Sequence, residues 1–227
     1  MQRRKFTTGA TASTLLALGW PGWAAGQSSA DAASGIRLAL ERGAAAAINL
    51  LGRPDGFLGN PKVRIPLPGA LAQAAKVLRF TGQQGRVDDL VTAMNRAAEA
   101  AVPEARRLLI DAVKSISLGD ARRIVSGGAD SVTKFFAAKT RAPLSERFLP
   151  IVTKETARVD LAARYNAVAG KAAGFGLVKG DAANIERYVT GKALDGLYFM
   201  IGEEERKIRS DPVGTGSALL ARVFGGR

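Results

Sequence analysis

The stretch VDDLVTAMNRAAEAAVPEARRLLIDAVKSI, Val87 to Ile116, decides the fold. Its apolar residues Val87, Leu90, Val91, Met94, Ala98, Ala101, Ala105, Leu108, Leu109, Ala112, Val113 and Ile116 recur three or four apart. That spacing gathers side chains on one face of a helix. The phase runs through Pro103, whose ring removes a backbone hydrogen bond and clashes with the preceding turn. Either a kink or two abutting helices is expected there, and the unbroken phase favours the kink.

Similar stripes lie on both sides. Ile36, Leu40, Ala44, Ala47, Ile48 and Leu51 form one from about Asp31, ending at Gly52. Pro68, suited to a first helical position, opens another through Leu71, Ala75, Leu78 and Phe80 to Gly82. Ser117 with Asp120 reads as a capping box for a short helix ending at Gly127 and Gly128. A helix starting at Ala129 or Asp130 carries Val132, Phe135 and Phe136, and Pro143 opens a separate one to Val159, bent at Pro150. Further helices are expected over 161–168, 182–189, 192–209 and 216–224. The fold class is therefore all-α: a single compact multi-helix domain over residues 31–227.

One segment departs from helical spacing. In DGFLGNPKVRIPLP, Asp55 to Pro68, Val63, Ile65 and Leu67 alternate with Lys62, Arg64 and Pro66. Alternation is strand periodicity, but proline cannot donate a ladder bond, so an edge strand or an extended proline-containing arm is expected. The arm either packs its apolar side on the helices or covers a pocket, offering Lys62 and Arg64 to an anionic headgroup.

The first residues, MQRRKFTTGATASTLLALGWPGWAAGQ, run from cations through a short apolar stretch to small residues. That is the order of an export signal over residues 1–26, with cleavage between 24 and 30. The apolar stretch is too short to span a bilayer. Arg3-Arg4-Lys5-Phe6 is similar to a twin-arginine signal, with general secretion as the alternative. A periplasmic protein without a transmembrane segment is expected.

The chain has 33 basic and 20 acidic residues, and losing Arg3, Arg4 and Lys5 with the signal leaves a net charge of +10. Such a field favours anionic partners within about 10 Å. Export and few aromatic residues count against nucleic acid and favour anionic lipid or an envelope protein. With no His and no Cys, the chain has no Ser-His-Asp triad, no cysteine nucleophile and no imidazole or thiolate metal site. No cofactor and no metal ligands are assigned.

The remaining candidates are polar groups on apolar faces. In LYFMIGEEERKI, Leu197 to Ile208, about 100° per residue puts Glu203 outward, Glu204 at the flank and Glu205 within the apolar stripe. Arg209 can reach Glu205 four residues on, and Lys207 can likewise reach Glu203. Asn95 and Glu99 share a flank of MNRAAEAA, with Arg96 pointing away. These two read as an interhelical hydrogen-bond network. SGGADS, Ser126 to Ser131, offers helix N-terminal amides to an anion. The candidate ligand-binding set is Lys62, Arg64, Asn95, Glu99, Asp195, Glu205 and Arg209, with no catalytic residue assigned. The rival is an enzyme working with Glu205, Glu99 or Asp195 alone as acid, base or divalent-metal ligand. Phe135, Phe136, Phe148 and Tyr198 line an acyl-chain cavity or form ordinary core.

Taken together, DGFLGNPKVRIPLP, MNRAAEAAVPEA, DARRIVSGGAD and YVTGKALDGLYFMIGEEERKIRSDP resemble the bacterial exported family catalogued as domain of unknown function 4197, from about Gly35 to Phe224. The resemblance implies a helical envelope protein and carries over no catalytic residue. The expected function is non-catalytic binding of an amphipathic or anionic envelope ligand or a protein partner. A purely structural assembly role is a third alternative.

Overall fold

The computed structural model describes residues 24–69, 71, 72, 75, 82, 84–128, 130–158, 162–166, 184–211, 213 and 214, with backbone alone for 24–32, 122 and 125. Most of the expected export signal, most of the Pro68–Gly82 helix and the helix expected over 216–224 lie outside these residues.

Among the described residues the bundle includes α1 Ala24–Leu51, α2 Gln84–Ala101, α3 Ala105–Lys114, α4 Leu118–Ser126, α5 Ser131–Thr156 and α6 Ile185–Ser210. No strand occurs among the described residues, and none of the helices is long and apolar enough to cross a membrane. The all-α expectation holds. Helix α1 starts seven residues earlier than its stripe suggested, through an Ala- and Ser-rich stretch with no proline.

At Pro103 the chain forms abutting helices, against the favoured kink. Residues Val102–Glu104 tighten into a 3-10 turn between α2 and α3, with proline in its first positions, so the Glu99 carbonyl in the last turn of α2 lacks a donor four residues on. The apolar phase nevertheless persists, since Ala98, Ala101, Val102, Ala105 and Leu109 are all fully buried. Ser117 and Asp120 form the expected capping box, each side chain accepting from the other's backbone N–H.

The break expected at Pro143 is absent: α5 continues through both Pro143 and Pro150. These prolines leave the carbonyls of Lys139 and Glu146 without their donors four residues on, and both of those residues are exposed to water. Tertiary packing then holds the helix. Its buried residues are Val132, Phe136, Thr140, Leu144, Phe148, Val152 and Thr156, one in every four. A spacing of four advances about 40° per step, or about 240° over the six steps, so the buried row winds around most of the helix. Helix α5 is accordingly central, packing against α2, α3, α4 and α6, while α1 covers α3, α4 and α6.

Polar groups on α5 are matched within this core. Thr140 donates to the Phe136 carbonyl at 2.7 Å, which uses its one hydrogen, so the Tyr198 hydroxyl 2.8 Å away donates to Thr140. Arg141 lies over the Tyr198 ring at 5.3 Å. Phe136 and Phe148 are fully buried in the single large cluster, with Phe135 packed on its edge. These aromatics are core.

The 55–68 arm lies on the outer side of α6 where that helix has Gly196. A Cβ at residue 196 would come within 2.7 Å of the Phe57 ring and 3.3 Å of Val63. The buried Phe57, Val63 and Ile65 therefore fill the space beneath the arm. Gly196→Ala should cost about 1–3 kcal/mol through overpacking, read as a lower urea midpoint with unchanged helical circular dichroism. Gly85→Ala in α2, where a Cβ meets nothing within 4 Å, is the control and should be neutral or stabilising.

Candidate functional site

The arm makes a series of turns over residues 53–63 and then runs irregularly to Pro68. Its alternation survives without a partner strand: Val63 and Ile65 are buried, while Lys62, Arg64 and Pro66 are exposed. The Asn95 carboxamide takes the place of a neighbouring strand. It accepts from Ile65 N–H at 2.8 Å and donates to the Ile65 carbonyl at 3.1 Å and the Val91 carbonyl at 2.8 Å. One turn along α2, Glu99 accepts from the N–H groups of Phe57 and Leu58, each at 3.0 Å.

Arg96 turns toward Glu99, against the expectation that it points away. Its guanidinium bridges Glu99 at 2.7 Å and Asp55 at 2.9 Å. Asp55 has φ of 64°, a left-handed conformation that short polar residues tolerate best. Arg96 thus clamps the strained start of the arm. Its far end is tied by the Tyr188 hydroxyl, donating to the Pro66 carbonyl at 3.0 Å.

Glu205 serves a different segment. Its carboxylate accepts from Val132 N–H, Thr133 N–H and the Thr133 hydroxyl, each at 3.2 Å. These are N-terminal groups of α5, whose own N-cap residue Asp130 makes no side-chain cap. A carboxylate from α6 therefore caps α5, where exposed N–H groups and the helix dipole favour negative charge. The anion for the amides after SGGAD is the chain's own Glu205. Arg209 closes the network, donating to Glu205 at 3.0 Å, the Ile124 carbonyl at 3.1 Å and the Ser131 hydroxyl at 2.9 Å. Beside it is a void of about 10 Å³, space for about one water and for no organic ligand.

The other two glutamates of the triplet face the surface with different partners from those expected. Glu203 bonds Lys62 of the arm at 2.6 Å and also Arg206, while Lys207 pairs with Glu204 at 2.6 Å. The bond from Lys62, aided by Arg206, holds the Glu203 carboxyl down to about 2. Asp195 binds Arg141 at 2.6 Å, with Lys192 at 3.8 Å.

Glu99, Glu205 and Asp195 thus occupy three separate places, each with its own cation: under the arm, at the head of α5, and on the outer side of α6. The convergence that a carboxylate-only enzyme requires does not form among them, and no group of three acidic residues placed to hold a metal ion occurs among the described residues. Of the seven candidates, Lys62, Arg64 and Asp195 share one open groove of about 300 Å³ between the arm and α6, with Lys192 and the exposed Phe199. Asn95 and Glu99 position the arm that forms one wall. Glu205 and Arg209 belong to the α5 cap.

Lys192 and Phe199 were missed because one lies in a polar stretch and the other on the outer flank of an apolar one. Neither carries a local signal of a groove. Asp55 was detectable as a non-glycine residue preceding Gly56 in a tight turn, where a Cβ at 56 would meet the Leu51 carbonyl at 2.4 Å.

Glu205→Ala should destabilise the fold by about 3 kcal/mol, since it takes the carboxylate from a mostly buried Arg209 and uncaps α5. Glu205→Gln, which keeps a carbonyl oxygen for Val132, should cost less, both read by urea denaturation. A second expectation concerns pH. Because the Glu203 carboxyl is depressed in the folded state, its contribution is fully present above the ordinary value of 4.5 and is lost as pH falls through about 2. Protection factors of the amides in residues 60–64, each corrected for the intrinsic exchange rate at that pH, should therefore fall between about pH 4.5 and 2, and Lys62→Ala should flatten that step.

No curated protein and no solved structure matches the chain. The model of the family described as "Protein of unknown function (DUF4197)" matches residues 26–225 and takes in the arm, both capping networks and the groove, so the chain belongs to that family.

Proposed function

We propose that this is an exported, periplasmic protein that binds an anionic amphipathic envelope ligand without catalysis, at the groove between the 55–68 arm and α6. The observation that carries the reading is the composition of that groove. Arg64 is exposed and has no ion pair among the described residues, Lys192 has a loose 3.8 Å contact with Asp195, and Phe199 is 41 % exposed beside them. A cationic rim next to an exposed aromatic ring suits a ligand with an anionic head and an apolar body.

Export is supported by the order of residues 1–26, and the net charge of +10 left by its cleavage favours anionic surfaces. The inward carboxylates support a non-catalytic role, because each is already bonded to backbone N–H groups or to an arginine. The filled space beneath the arm favours capture at the surface over engulfment of an acyl chain.

The test is co-sedimentation of the mature chain with phosphatidylglycerol vesicles at low and high salt. Binding should be saturable at low salt and weaken as salt rises. Arg64→Glu with Lys192→Glu should reduce it about tenfold or more, each basic residue near the surface being worth about 1 kcal/mol. Phe199→Ser should weaken it without changing its salt dependence. Absence of binding at low salt, or indifference to the double charge reversal, would sink the reading.

A further inference from the structure

A second groove, of about 360 Å³, lies between α5 and α6 and is lined by Arg141, Ser145 and Glu146 from one helix and Arg187, Thr190 and Leu194 from the other. Thr190 is 2 % exposed, and its hydroxyl has no hydrogen-bond partner among the described residues. Its behaviour contrasts with that of Thr140, Thr153 and Thr156 in α5, each of which returns its hydroxyl to the carbonyl four residues back. That local solution is open to a helical threonine. A buried hydroxyl without it carries an unrecovered desolvation cost.

Two charged residues on the same groove are also unmatched. Arg187 and Glu146 are both exposed, and neither forms an ion pair among the described residues, with each other or with a third group. Arg141 gives one nitrogen to Asp195 and lies over the Tyr198 ring, which holds its guanidinium at the groove's edge. The groove is therefore lined by a cation held by two contacts, a second cation, the Ser145 hydroxyl and one carboxylate, with the Thr190 hydroxyl buried at its base, within a volume suited to a small ligand.

We propose that this groove binds a phosphoryl group carrying a neighbouring ammonium, with Arg187, Arg141 and the hydroxyls of Thr190 and Ser145 on the phosphoryl oxygens and Glu146 on the ammonium. Guanidinium and hydroxyl donors match a phosphate, and a lone carboxylate beside them disfavours a purely anionic ligand. The chemistry is common to a free headgroup and to a zwitterionic lipid surface.

Isothermal titration of the full mature chain with glycerophosphoethanolamine and with glycerophosphate tests it. The ethanolamine ester should bind more tightly. Arg187→Ala should weaken it at least tenfold, and Thr190→Val, nearly the same shape, about fivefold with melting temperature retained. Glu146→Gln should erase the preference over glycerophosphate. Flotation with phosphatidylethanolamine vesicles that is lost in Arg187→Ala assigns a lipid source. Soluble binding without flotation assigns a free headgroup. No saturable binding to either soluble probe or to the vesicles, or binding unchanged in both Arg187→Ala and Thr190→Val, overturns the site. Arg64→Glu with Lys192→Glu should leave this binding intact, so failure at one groove is distinguishable from failure at the other.

Discussion

The structure depends on matching backbone polar groups that leave water at two places, the 55–68 arm and the head of α5. An unmatched buried N–H or carbonyl costs about 1–3 kcal/mol, comparable to a large part of the stability of a domain this size. Neither segment can satisfy itself. Among the described residues the arm has no partner strand, and the residue preceding α5 makes no side-chain cap. Asn95, Glu99 and Glu205 supply the missing partners from other helices, and every one of them is at least 95 % buried.

The choice of side chain follows from what each segment presents. Ile65 offers both an N–H and a carbonyl, so a carboxamide, which is donor and acceptor at once, fits it. Phe57 with Leu58, and Val132 with Thr133, offer only N–H groups, and a carboxylate accepts from both members of each pair. Burying that charge is tolerable because Arg96 and Arg209 stand beside the carboxylates. Each arginine also reaches a third point, Asp55 in one case and the Ile124 carbonyl in the other, so each network locks a turn as well as a helix.

This arrangement separates architecture from recognition. The inward acidic groups are spent on the backbone, and the core between the helices is filled by Phe57, Phe136, Phe148 and their neighbours. The side-chain groups with no partner among the described residues, Arg64 along the arm and Arg187 with the Thr190 hydroxyl along α5, lie on the two flanks of α6. Asp195, held by Arg141 from one flank and approached by Lys192 from the other, forms the ridge between them. On the proposed reading, ligands meet the protein at its surface.

The sequence by itself determined what depends on neighbours along the chain. Apolar periodicity marked the helices, Ser117 and Asp120 marked the start of α4, and helical phase placed Glu205 inward with Arg209 four residues on. Alternation also placed Val63 and Ile65 inward and Lys62 and Arg64 outward, although Leu67 is only half-buried and Pro68 is buried. Contacts across the fold were decided only in three dimensions. That α5 runs through two prolines depends on the helices around it. That Glu203 takes Lys62 from 141 residues away, in place of Lys207 nearby, depends on where the arm comes to rest. The grooves beside α6 likewise exist only once Arg64, Lys192 and Phe199, or Glu146, Arg187 and Thr190, are brought together. Local spacing encodes which way a side chain points; which group waits there is set by packing between segments distant in sequence.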